Sequence, residues 1–345
     1  MQTPKRLIIL VLIAALLLSL TACAGAPTDI MDSGADRFAS GKEEDSYHLK
    51  NSGALLDELI DNYSGSYYIP GNTKMDDDAY DQAKQDPADP TDPDSTDPTD
   101  DGSAGEDLVL VRDWNDFLAV LYDTYAATSE HLEFQVAAGY SLDLSVDLQK
   151  SFTQLQREDP IYVGSVESWC WGVRGNEYVL EITYTMDVDK LIQIKDATQD
   201  LVDDAVSKID TTGKSDYEIV CAVNDYLCDT VYYPPTEPYA PITHTAYGAL
   251  NNGVAVCEGY ACAAKLLLNE LGIPCDIQVG TCTGGGGHAW NLVQLDGQWY
   301  QMDITWNDGS SDRDDYLLVT DDYMRKSRTW DTSEYPVCAP APYTP

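Results

Sequence analysis

Val256-Cys257-Glu258-Gly259-Tyr260 opens the stretch whose reading decides the fold. Behind it Ala261, Ala264, Leu267, Leu268 and Leu271 recur at helical spacing, so the segment reads as a helix that buries one face. Gly272 is the expected residue just past its end, and Pro274 blocks continuation. Cys257 then falls in the first helical turn. Unpaired N–H groups and the positive dipole end gather there, and both favour a thiolate.

Downstream, Cys275 to Thr283 alternates like a strand, and Gly284 to Gly287 reads as a loop. His288 to Leu295 reads as a second strand, Asp296-Gly297 as a two-residue turn, and Gln298 to Trp306 as the antiparallel partner. With Asp296 and Gly297 as the loop, His288 faces Thr305 and Trp290 faces Asp303. His288, Trp290, Asp303 and Thr305 then share one face, because side chains alternate with period two. On this reading His288 and Asp303 are diagonal neighbours within side-chain reach.

A cysteine at a helix N-terminus, with a histidine and an aspartate on one hairpin face, is what nucleophilic catalysis requires. A thiolate attacks, an imidazole holds and passes the proton, and a carboxylate fixes the imidazole. Five segments in order carry a resemblance to a known family: Tyr247-Gly248-Ala249-Leu250, Val256 to Tyr260, Gly287-His288-Ala289-Trp290-Asn291, Leu295 to Tyr300, and Met302 to Asp308. Together they resemble the transglutaminase-like superfamily, which shares the papain-type fold. The resemblance covers about residues 190–335. It implies an α+β core, with a Cys-bearing helix packed on an antiparallel sheet, in a domain over residues 191–335. It also implies Cys257 as nucleophile, His288 as base and acid, and Asp303 as orienting carboxylate. For the oxyanion and the substrate pocket, the candidates are the backbone N–H of Cys257 with His244, Tyr247 and Trp290.

Upstream, Lys190 to Ile209 reads as a helix, and Ser215-Asp-Tyr-Glu218 as a capping box that starts the next one. Residues 108–190 read as a small α/β domain in the order β-α-β-α-β-β. Within it Leu144 to Leu155 forms a helix, and Arg174-Gly175-Asn176 breaks two strands into a hairpin. It groups no nucleophile, base or metal ligands, so a packing or substrate-presenting role is expected of it.

The N-terminus reads as an address. Lys5 and Arg6 precede the apolar run Leu7–Leu20, which is short for a membrane-spanning helix and right for a signal peptide. Leu20-Thr21-Ala22-Cys23 resembles the bacterial lipobox. That implies a signal peptide over 1–22, cleavage before Cys23 and lipid on its sulfur. The mature chain is then expected on the outer face of the cytoplasmic membrane. Residues 23–107 read as an acidic, mostly disordered linker: Asp76 to Asp107 holds 13 acids against Lys84 alone, with repeated Asp-Pro steps. Residues 336–345 read as a tail.

The net charge of −39, from 59 acids and 20 bases, argues against nucleic acid as a partner. Nine cysteines are present. With Cys23 lipidated and Cys257 reactive, the other seven are expected to be mostly buried free thiols. Cys257, Cys262, Cys275, Cys282 and His288 lack the Cys-x2-Cys pairing usual for zinc, so no metal site is expected, and no organic cofactor is implied. The expected function is an extracytoplasmic enzyme acting on amide bonds through a thioester, with a protein or cell-wall peptide as substrate. Peptidase or amidase action is favoured over protein cross-linking. The alternative is a catalytically silent surface binding module of the same fold.

Overall fold

The computed structural model describes residues 70–84, 108–235, 240–283 and 286–345. They fall into two compact units that meet in the chain between Gln193 and Ile194. The signal peptide, Cys23 and most of the acidic linker lie outside the described residues. Among the described residues, no helix is long and apolar enough to cross a membrane.

The first unit is a five-stranded mixed sheet. It contains β1 (Gly71–Lys74), α1 (Asp77–Ala83), β2 (Val109–Val111), α2 (Trp114–Ala126), β3 (His131–Val136), α3 (Leu144–Glu158), β4 (Val166–Arg174) and β5 (Glu177–Tyr184). The strand order is β1-β4-β5-β3-β2. The expected β-α-β-α-β-β order holds from β2 to β5. Alternation puts Phe134, Trp169 and Leu180 on one face. Helices α2 and α3 cover that face through ring contacts from Phe117 to Phe134 and from Phe152 to Trp169.

The other face is covered in part by residues that the sequence placed in the disordered linker, and this corrects the boundary at 108. β1 pairs in parallel with β4, Gly71 opposite Ser168. The indole N–H of Trp171 donates to Asn72 at 2.6 Å. Helix α1 then lays Tyr80 against Gly172, where a Cβ would stand 2.4 Å from the Tyr80 ring. Met75, Tyr80 and Val179 form a small core of their own. Propensity could not find this strand: GNTK has no apolar alternation, and its hydrogen bonds go to a strand far along the chain.

Helix α4 (Val188–Lys208) runs through the boundary between Gln193 and Ile194, and the second unit continues with α5 (Asp216–Thr230), a 3₁₀ turn Pro241–His244, α6 (Ala246–Asn252), α7 (Cys257–Glu270), β6 (Cys275–Cys282), β7 (Gly287–Leu295), β8 (Gln298–Met302), α8 (Ile304–Gly309), α9 (Asp321–Met324) and β9 (Arg328–Thr329). Its sheet is antiparallel, in the order β8-β7-β6-β9. Helix α7 packs on β6 and β7, with Ala261, Ala264, Leu267 and Leu268 in one core with Ile277, Ala289 and Val293. This is the expected α+β core. The capping box at α5 is present, Ser215 N–H donating to Glu218 Oε2 at 2.8 Å.

Two local readings change. The partner strand ends at Met302, not Trp306: Asp303 is the N-cap of α8, its carboxylate accepting the Trp306 N–H at 3.1 Å. An Asx cap outcompetes strand pairing here, because the side chain supplies what the ladder would have. The segment after 335, read as a tail, also folds back: Ala339 N–H donates to Trp299 O at 2.8 Å, and Tyr343 N–H to Leu318 O at 3.1 Å. It covers the edge of β8.

Candidate active site

Three pieces of chain converge on the Cys257 end of α7. Val256 is the N-cap and offers no side-chain capping bond. The 3₁₀ turn lies against this end, with Val256 N–H donating to Thr243 O at 3.0 Å. Gly259 makes that approach feasible, since a Cβ there would stand 2.5 Å from Thr243 O. From the sheet, Asn291 donates to the carbonyl of Ala261 at 2.9 Å. Asn291 is three residues past His288 on β7, and Ala261 is one turn past Cys257 on α7, so this bond ties the two elements together.

His288 is the second residue of β7 and is 5% exposed. Its Nε2 lies 2.7 Å from Asp303 Oδ2. With Nε2 engaged by the carboxylate, Nδ1 is the nitrogen left to serve a thiol. The hairpin register is as expected from Leu295 opposite Gln298 to Asn291 opposite Met302. The turn residues Asp296 and Gly297 both have positive φ, 51° and 75°, which fits a type I′ turn. Asp303 reaches His288 as a helix cap rather than as a strand neighbour.

Asp303 is completely buried. Burial by itself would raise its pKa, but His288 and Arg328 outweigh that and hold the carboxyl down at about 2. Arg328 Nη2 donates to the same Oδ2 that faces His288. Arg328 was not singled out from the sequence. The only trace is a basic cluster, Arg325-Lys326-Ser327-Arg328, in an acidic domain. Nothing local distinguishes its last member from the first two.

The three oxyanion or pocket candidates separate. His244 ends the 3₁₀ turn, and its Nδ1 lies 2.9 Å from Glu258 Oε2, in a pair that is mostly buried. It is therefore anchored to the residue that follows Cys257. With Nδ1–H given to Glu258, Nε2 is a donor only in the doubly protonated ring. Tyr247 is half-buried on α6. Trp290 lies two residues past His288 on β7. It is 1% exposed, donates its indole N–H to Gln301, and stacks on the His288 ring at 5.7 Å between centroids. It is a floor for the imidazole.

Cys257 is itself completely buried. Of the eight described cysteines, none is disulfide-bonded; Cys228, Cys257, Cys262, Cys275 and Cys338 are buried, while Cys170, Cys221 and Cys282 are partly exposed. Burial pushes the thiols of Cys228, Cys262, Cys275 and Cys338 well up, which keeps them protonated and inert. Among the described residues, no group of three or more His, Cys, Asp or Glu side chains is arranged to hold a metal ion.

The chain is similar to several known proteins. Residues 203–304 match the family model of the transglutaminase-like superfamily. The kyphoscoliosis peptidase of Mus musculus is 27% identical over 135 residues, which is 35% of this chain and 20% of the relative. The chain thus spans about a fifth of that relative's length. A crystal structure of a TGase aligns over 58% of this chain and 59% of that chain, at 17% identity and a TM-score of 0.30. The structure of a candidate cysteine protease from Cytophaga hutchinsonii aligns over 31% of this chain and 37% of that chain, at 21% identity and a TM-score of 0.27.

Proposed function

We propose, with the transglutaminase-like domain at residues 203–304 as premise, that this chain is a Cys-His-Asp enzyme acting on amide bonds through a thioester. One observation carries the reading. Asp303 binds Nε2 of His288 at 2.7 Å, on a strand packed against the helix that Cys257 opens. That arrangement supports His288 Nδ1 as the acceptor of the Cys257 proton.

The steps follow from those roles. The Cys257 thiol gives its proton to His288, and the sulfur attacks the substrate carbonyl carbon. The negative charge moves onto the carbonyl oxygen, where the Cys257 N–H is a candidate donor. The intermediate collapses, the C–N bond breaks, and His288 returns the proton to the departing amine. A thioester remains. Water, losing a proton to His288, then attacks it, and the acid product leaves as Cys257 is restored. Throughout, Asp303 fixes the ring and balances its positive charge.

Hydrolysis is preferred to transfer. Water is abundant, and transfer to a lysine amine requires a site that binds the amine and restricts water. The acidic charge of the chain favours cationic amines, but the sequence adds no amine-binding feature to the Cys-His-Asp set. The resemblance of Leu20-Thr21-Ala22-Cys23 to a lipobox supports, on this reading, a site for the enzyme at the outer face of the cytoplasmic membrane, held by lipid. Its substrate is then a protein or cell-wall peptide.

The second reading, a silent binding module, is favoured by one observation: Cys257 is completely buried. A thiol-directed probe decides between them. An enzyme labels at Cys257 faster than at the partly exposed Cys282, and the His288→Ala variant loses that preference. Absence of Cys257 labelling in the native protein refutes the enzyme. A peptide substrate with excess labelled primary amine then tests the outcome. Label incorporated faster than hydrolysis would mean transfer.

A further inference from the structure

Among the described residues of the second unit, Arg328 is the one arginine whose side chain is completely buried, and its guanidinium reaches the triad carboxylate. It sits on β9, opposite Cys282 of β6. Its Nη2 donates to Asp303 Oδ2, and its Nη1 to Ser327 Oγ at 2.8 Å. The guanidinium lies 3.9 Å from the centroid of Trp306, 5.0 Å from Tyr316 and 5.7 Å from Trp290. Trp290 and Trp306 also flank the His288 ring, at 5.7 and 6.0 Å between centroids. The same two indoles therefore hold the cation and the imidazole on one carboxylate.

An aspartate with no second partner would give its whole charge to the imidazolium and make the proton hard to return. General acid–base work needs a group that both accepts and releases a proton near the working pH. A fixed guanidinium on the shared oxygen draws off part of that charge. Its planar fork is held among Trp306, Tyr316 and Trp290.

We propose that Arg328 is a positioning residue: it fixes Asp303 and takes a share of its charge, and so sets how tightly His288 holds its proton. This rests on the Cys257-His288-Asp303 reading above. The other ionisable groups around it are few. Tyr316 is pushed up to about 12 by burial and stays neutral. Tyr323 lies beyond it, Asp315 is bonded to Ser310, and Asp321 to Gln301. Helix α7, packed on β7, carries Cys257 and Glu258, the latter paired with His244.

The test is the rate of Cys257 alkylation by iodoacetate from pH 4 to 10, read on the Cys257 peptide by mass spectrometry, in the full chain. The anionic probe reacts fastest while His288 is charged, so the rate falls at high pH as the imidazolium is lost. In Arg328→Met this basic limb should move up by about one pH unit, because a cation at hydrogen-bond distance from the shared carboxylate has gone. Arg328→Lys keeps the charge and should hold the limb near its native position. If Arg328→Met does not fold, Arg328→Gln carries the same expectation, since it keeps a donor without the charge. A rate lowered equally at every pH, with the limb unmoved, makes Arg328 purely structural and overturns the proposal. His288→Ala separates the two failures. If the native limb survives in that variant, the Cys-His reading itself has failed, and this proposal falls with it.

Discussion

His288 and Arg328 meet at a single atom, Oδ2 of Asp303, from positions 15 and 25 residues away in the chain. One carboxylate thus serves both the imidazole and a buried cation. Removing either partner of a buried pair costs more than the pair contributes, because the other is left uncompensated. This asymmetry shapes the first expectation.

Asp303 should make stability depend on pH in acid. Its folded pKa, about 2, lies below the ordinary carboxylate value of 3.8. A depressed carboxylate contributes stability that is present above the unfolded pKa and lost as pH falls through the folded one. The window is therefore about pH 4 down to pH 2, and the contribution is about 2 kcal/mol. Asp303→Asn should be destabilised at neutral pH by about 3–5 kcal/mol, since Arg328 loses its counter-charge. Urea unfolding at a series of pH values checks this: the gap between the native protein and the variant should narrow below pH 4. A constant gap would contradict it.

Gly280 should be intolerant of any side chain. A Cβ there would stand 2.3 Å from Thr329 O and 2.8 Å from the Trp290 ring. Gly280→Ala must push β9 off β6, and Arg328 moves with β9. The expected cost is about 1–3 kcal/mol of stability, with slower Cys257 labelling although no triad residue is changed. Thermal unfolding and the labelling rate read the two effects. Native labelling in the variant would show that β9 has no bearing on the triad.

The first unit should require residues 70–84. A fragment beginning at 108 lacks β1 and α1, leaves the Trp171 indole without Asn72, and uncovers Val179. Fragment 70–345 should unfold near the temperature of the full chain. Fragment 108–345 should unfold at least about 5 °C lower, or aggregate. Equal melting of the two fragments would restore the linker boundary read from the sequence.

Cys23 should carry the membrane anchor. The protein is expected to partition with membranes, and Cys23→Ala to release or stall it. Intact-mass analysis of the mature N-terminus checks the reading. A mature chain that begins elsewhere, with no acyl mass, would end it.

The parts of this protein that were legible in its sequence are those made by local interactions. Periodicity and Gly272 delimit α7. Ser215 and Glu218 cap α5. Asp296-Gly297 sets the hairpin register as far as Met302, because a two-residue turn leaves the strands one way to pair. These features brought Cys257 to a helix N-terminus and His288 to the neighbouring strand.

Tertiary structure decided the rest, and the reason is chain separation. At Asp303 a side-chain cap competes with one more ladder pair, and period-two alternation cannot rank them. GNTK at 71–74 becomes a strand only because β4 offers it an edge. The segment after Pro336 is held by bonds to Trp299 and Leu318, which its own residues do not announce. Arg328 looks like its surface neighbours Arg325 and Lys326 until β9 pairs with β6 and carries it under Trp306. A buried charge is defined by its partners, and these are supplied from far along the chain.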